Sequence, residues 1–148
     1  MYKNILIATD GSEVAERGVK HGLELAKAIG AKATIVTVTE MWDPRRMAAD
    51  AWRQNYNAVQ EYDSAAAVAA KHILDAASAI ANGLGVKADV RHVADEHPAD
   101  GIIKTATRGN FDLVVIASHG RRGINRLLLG SVAMEVVSQS AVPTLIVR

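Results

Sequence analysis

The feature that most constrains this chain is an alternation: short apolar runs separated by longer stretches of helical periodicity. Ile5-Leu6-Ile7-Ala8 and Leu113-Val114-Val115-Ile116 are apolar at consecutive positions, the pattern of strands buried on both faces. Ala33-Thr34-Ile35-Val36-Thr37-Val38-Thr39 is rich in β-branched residues and reads as a second strand. Lys87-Ala88-Asp89-Val90-Arg91-His92-Val93 alternates and carries charge, as a partly exposed edge strand does. Thr144-Leu145-Ile146-Val147 closes the chain after Pro143.

Helical patterns fill the intervals. Ser12 is an N-cap candidate for a helix that buries Ala15, Val19, Gly22, Leu23, Ala26 and Ile29 and stops at Gly30. In an alanine-rich stretch, Val59, Tyr62, Ala66, Ala69, Ile73, Ala76, Ile80 and Leu84 recur at three- and four-residue steps, marking one helix face. Pro98 suits the first turn of a third helix burying Ala99, Ile102, Ile103 and Ala106. A last helix is predicted around 131–139. The order βαβαβαβαβ predicts an α/β fold: a parallel sheet with helices on both faces. Strand order is not contained in that pattern.

Composition narrows the function classes. A chain of 148 residues fits one domain, 1–148, that buries roughly 70% of its unfolded surface without staples. It has no cysteine, which excludes disulfides and thiol chemistry and suits a cytoplasmic location. The formal net charge of +1 argues for neither nucleic acid nor an anionic membrane as partner. No apolar run approaches the ~18 residues of a membrane span, and Met1-Tyr2-Lys3-Asn4-Ile5 reads as the start of a strand rather than a signal peptide.

In open parallel sheets ligands bind beyond the carboxyl ends of the strands, where strand order reverses. Two strand ends carry suitable chemistry. In Ala8-Thr9-Asp10-Gly11, Asp10 can accept hydrogen bonds from a sugar hydroxyl or a base amine; equally, Asp10 and Ser12 can cap the next helix. The second is Ala117-Ser118-His119-Gly120, followed after nine residues by Gly130-Ser131. Small-residue turns let backbone N–H groups approach an anion, and Gly130-Ser131 opens a helix N-terminus. Arg121, Arg122 and Arg126 lie between and add positive charge.

These motifs together resemble the universal stress protein family. The opening Ile5 to Ser12, the stretch from Ala117 to Ser131, which follows G-x2-G-x9-G-[ST], and the closing Ser140 to Val147 carry the resemblance. It implies a five-stranded Rossmann-like sheet of the adenine nucleotide alpha hydrolase type, strand order 3-2-1-4-5, and an adenine nucleotide (ATP, ADP or AMP) as ligand. By position, Ala8, Thr9 and Asp10 would face base and ribose, and Val38 would pack on the base. Ala117, Ser118, His119, Gly120, Gly130, Ser131 and Val132 would hold the phosphates, with Arg121 and Arg122 nearby and Mg²⁺ riding on the phosphates. The resemblance also implies a stress-response regulator and a homodimer joined through Thr144, Leu145, Ile146 and Val147. Ala117 departs from the motif, standing where its first glycine would be. A positive φ there would strain alanine and its methyl would crowd a phosphate; the end of an extended strand would accept it.

Other signals weigh less. Gly83-Leu84-Gly85-Val86-Lys87-Ala88 follows a helix and precedes a strand, the reverse of a dinucleotide fingerprint. His92, Asp95, Glu96 and His97 cluster near Pro98, as metal ligands or as a polar turn. Ser118 and His119 are treated as pointing apart, as neighbours in an extended strand do. Trp42, Trp52 and the arginines within residues 40–57 belong to a lid over the crevice, a disordered loop or a partner surface. A nucleotide-free dimeric interaction module and a slow ATP hydrolase are the competing readings, the last without an evident general base.

Overall fold

The computed structural model describes residues 1–43, 45, 58–120 and 128–148. Five strands, β1 (Asn4–Ala8), β2 (Lys32–Val38), β3 (Ala88–Val93), β4 (Leu113–Ala117) and β5 (Thr144–Val147), form one sheet. Its order is β3-β2-β1-β4-β5 and every pairing is parallel. Register sets Ile7 beside both Ile35 and Val115, so β1 and β4 are neighbours and strand order reverses between them.

Among the described residues four helices cover the sheet: α1 (Glu13–Ile29), α2 (Ala58–Gly83), α3 (Pro98–Arg108) and α4 (Ser131–Gln139). The period of two along each strand divides the apolar residues between the faces. Ile5, Ile7, Ile35, Leu113 and Val115 pack with Val19, Leu23 and Ala26 of α1 and Leu74, Ala77 and Ala81 of α2. Leu6, Ala8, Val36, Val114 and Ile116 pack with Ala99, Ile102 and Ala106 of α3 and Ala133 and Val136 of α4. As the charged pattern of β3 predicts, that strand is an exposed edge, and β5 is the other.

Local chemistry sets the helix ends. Ser12 Oγ accepts from the Ala15 N–H at 3.2 Å, and Gly30 closes α1 at φ 69°. Pro98 stands in the first turn of α3, where its missing N–H leaves no helical bond unmade. Among the described residues no helix is long and apolar enough to cross a membrane.

Two helix faces differ from those predicted. Ile29 is 45% exposed because it belongs to the last turn of α1, beyond the edge of the sheet-facing stripe. In α2 the buried line is Ala58, Ala70, Leu74, Ala77 and Ala81, with Leu74 its one large residue. Tyr62, Ala66, Ile73 and Ile80 flank it half-buried, Leu84 is half-buried just past the helix end, and Val59, Ala69 and Ala76 are exposed. Alanine occurs on every side of this helix, so periodicity alone places the stripe about one residue out of phase.

Candidate functional site

The site begins with what the chain does after β1. Thr9 pairs its N–H with the Val36 carbonyl at 2.9 Å, holding the strand end in the sheet. Gly11 then turns at φ 76°, a conformation that side chains disfavour, with its N–H donating to Thr9 Oγ1. This turn brings Asp10 Oδ1 to 3.0 Å from the Ser12 N–H. Asp10 and Ser12 therefore both cap the entry to α1, and Asp10 Oδ2 lies toward Gly120: a Cβ added to Gly120 would stand 2.5 Å from it.

The end of β4 meets this turn across the reversal point. Ala117 is the last residue of the strand, 4% exposed, and sits beside Val147. Among the described residues only Asp95 and Asn110 carry a positive φ without being glycine, so Ala117 is ordinary extended backbone. Its Cβ lies 3.4 Å from where a Cβ on Gly18 would stand. The Ala117 methyl thus faces α1, at a place where Gly18 leaves room for it.

Ser118 joins three elements. Its N–H donates to the Val147 carbonyl and its own carbonyl accepts from the Gly130 N–H, both at 2.7 Å. The turn after β4 and the start of α4 are thereby locked together. A Cβ on Gly130 would meet the Ser118 carbonyl at 3.1 Å and the His119 Cα at 3.4 Å, which is why glycine precedes Ser131. Gly130 is the N-cap of α4 and has no side chain to offer, and no acidic residue stands in the first turn. The first N–H groups of α4 lack intrahelical partners, and among the described residues no N-cap side chain takes the place there that Ser12 has at α1.

Ser118 and His119 do not point apart. Ser118 lies just past β4, where the chain bends, and its Oγ comes 2.9 Å from His119 Nδ1. His119 Nε2 is sequestered from solvent and has no hydrogen-bond partner among the described residues. Sequence reasoning misses this pair because it extends the strand geometry one residue too far.

Other predicted residues fall as follows. Ala8 is buried at the end of β1, and Val38 packs its methyl groups toward Gly101 of α3 and Val93. Ser131 and Val132 open α4. Arg121, Arg122 and Arg126 lie outside the described residues, as do Trp52 and most of residues 40–57. The histidine and acid cluster near Pro98 is divided among separate partners: His92 Nε2 lies 2.8 Å from Thr39 Oγ1, Glu96 pairs with Lys104 at 2.7 Å, and His97 Nδ1 is 3.6 Å from Glu135. Among the described residues no three His, Asp or Glu side chains are grouped to hold a metal. A cavity of about 180 Å³ shares Thr9 and Gly11 with the strand end but runs between α1 and α2, past Val19, His72 and Ile80.

The family model for the universal stress protein family matches residues 1–148. The chain belongs to that family. A universal stress protein of Methanocaldococcus jannaschii, MJ0531, is 30% identical over 149 residues, covering 100% of this chain and 83% of the relative. Among solved structures, a universal stress protein in complex with cAMP shares 29% identity at a TM-score of 0.72, covering 99% of this chain and 97% of that one. The structure of hypothetical protein MJ0577 shares 26% identity at a TM-score of 0.81, covering 99% and 96%. The sheet order of this universal stress protein is the one its sequence resemblance implies.

Proposed function

We propose that the protein binds an adenine nucleotide such as ATP at the carboxyl ends of β1 and β4, and acts as a nucleotide-dependent regulator in the cytoplasm. The observation that carries this reading is the 2.7 Å hydrogen bond from the Gly130 N–H to the Ser118 carbonyl. It joins a small-residue turn to a helix N-terminus whose N-cap glycine has no side chain, directly across the reversal point from Asp10. The helix dipole and the backbone N–H groups other than those of Ser118 and Gly130, which are spent on the Val147 and Ser118 carbonyls, then favour a phosphate chain along Ala117, Ser118, His119, Gly120, Gly130, Ser131 and Val132. Ala8, Thr9, Asp10 and Val38 would face base and ribose, and Arg121 and Arg122 would add charge to the phosphate side. The cAMP complex of a 29% identical universal stress protein supports an adenine nucleotide as the ligand class.

The fit for Mg²⁺ is through the ligand. With no converging carboxylates among the described residues, the cation would be held by phosphate oxygens and water, the usual arrangement for Mg²⁺ with a nucleotide. Calorimetric titration with ATP, AMP and GTP, each with and without Mg²⁺, tests the reading. Saturable binding of ATP, with GTP much weaker, is the expected result; flat titrations with every adenine nucleotide would overturn it.

A homodimer joined through β5 accompanies this reading. β5 is a sheet edge whose residues are all half-buried, and the Pro143 and Val147 carbonyls accept from Val114 and Ser118. By the period of two, the backbone groups of Thr144 and Ile146 turn outward, toward a second copy.

A further inference from the structure

We propose that His119 donates a hydrogen bond from Nε2 to a phosphate oxygen of the bound nucleotide, and that Ser118 is the positioning residue that fixes the tautomer in which it can do so. The inference rests on the nucleotide reading above and adds a side-chain contact to the backbone cradle.

The observation is an imbalance within one pair. His119 Nδ1 has a partner in Ser118 Oγ at 2.9 Å, whereas Nε2 is buried and has none among the described residues. A buried polar atom left unpaired is unfavourable and marks a place for a missing partner. Ser118 is 4% exposed, and its backbone is fixed at both N–H and carbonyl by Val147 and Gly130, so its hydroxyl is held close to the ring. When that hydroxyl donates to Nδ1, the neutral ring must carry its proton on Nε2; a doubly protonated ring carries one there as well. In both states Nε2 is a donor, and a phosphate oxygen is an acceptor. His119 Cα lies against Gly130, the residue that opens α4, so the ring is carried by backbone adjoining the first N–H groups of that helix.

The test is calorimetric titration of ATP with Mg²⁺ into the parent protein and into His119→Ala, His119→Gln and His119→Asn, all checked by circular dichroism. A glutamine amide reaches the position of Nε2, whereas an asparagine amide reaches only that of Nδ1. The expected loss for His119→Ala is roughly tenfold or more in affinity, with most of it recovered by His119→Gln and little by His119→Asn. Imidazole ¹⁵N spectra of the free protein are expected to show the Nε2-protonated ring in the parent and a tautomer mixture in Ser118→Ala. A parent that binds ATP while His119→Ala binds it equally well, or asparagine and glutamine that rescue alike, would overturn this contact and leave the nucleotide reading standing. A ring protonated on Nδ1 in the free protein would overturn Ser118's part, and a parent that binds no ATP would overturn both readings together.

Discussion

Gly120 stands so close to Asp10 that a single methyl group on the glycine would come within 2.5 Å of the Asp10 Oδ2. The other carboxylate oxygen, Oδ1, accepts from the Ser12 N–H at 3.0 Å. One aspartate thus caps the helix that follows β1 and faces the turn that follows β4.

Substitution separates those roles. Asp10→Asn keeps an oxygen for the Ser12 N–H and is expected to change unfolding free energy by less than about 0.5 kcal/mol. Its effect on nucleotide affinity is expected to be about tenfold, through loss of the charged acceptor. Asp10→Ala should lower both, stability by about 1 kcal/mol. Urea unfolding and calorimetry on the two variants read the difference.

Restoring the motif glycine at position 117 is expected to gain nothing. The Ala117 methyl faces Gly18 rather than the turn, and glycine in a strand interior is disfavoured by roughly 0.5–1 kcal/mol. Ala117→Gly should therefore lower stability by about that amount, with ATP affinity unchanged within about twofold of the parent, an allowance well below one hydrogen bond. A tenfold gain in affinity would show that alanine obstructs the ligand.

Asp112 ties the first residues of the chain to the sheet. Burial pushes its carboxyl up, but hydrogen bonds from the Lys3, Asn4 and Asp112 backbone N–H groups and the amino-terminal charge outweigh this and hold it below its ordinary value. A carboxylate with a depressed folded-state value stabilises the fold above its unfolded value, about 3.9, and loses that contribution as pH falls through the folded value. Asp112→Asn is expected to destabilise modestly at neutral pH, and the difference should shrink as pH falls below about 4. Unfolding free energies from pH 7 to pH 2 check the sign.

The β5 edge is expected to join two copies. Light scattering of the parent should give about twice the 15.8 kDa of one chain, and Ile146→Lys should give a folded monomer, since charge on an edge strand opposes pairing. A parent that stays monomeric at high concentration would remove the dimer from the account.

Much of the fold was legible because buried strands write themselves as apolar runs. The last helix was placed around 131–139, where it lies, the strand 144–147 was delimited to the residue, and 113–116 lacked only Ala117. Strand order came from the family resemblance, since local periodicity carries no information about which strands pair. The phase of α2 was misread because alanine on all sides gives the pattern little contrast, and Leu74, its one large buried residue, lay off the chosen stripe. At the candidate site the motif spacing marked both turns, but the Gly130 to Ser118 bond and the Ser118 to His119 contact depend on how the chain bends after β4. Neither can be read from residue types in order.

The central claim is that the crevice between β1 and β4 holds an adenine nucleotide. The most direct measurement is to denature freshly purified protein, separate the released small molecules on a nucleotide-resolving column, and titrate the emptied, refolded protein with ATP and Mg²⁺, beside a Gly120→Val variant shown to be folded. ATP is expected in the parent, by retention or by titration, and none in the variant, whose side chain would displace that of Asp10. A parent that neither retains nor binds any adenine nucleotide, or a variant that binds as well as the parent, would contradict it.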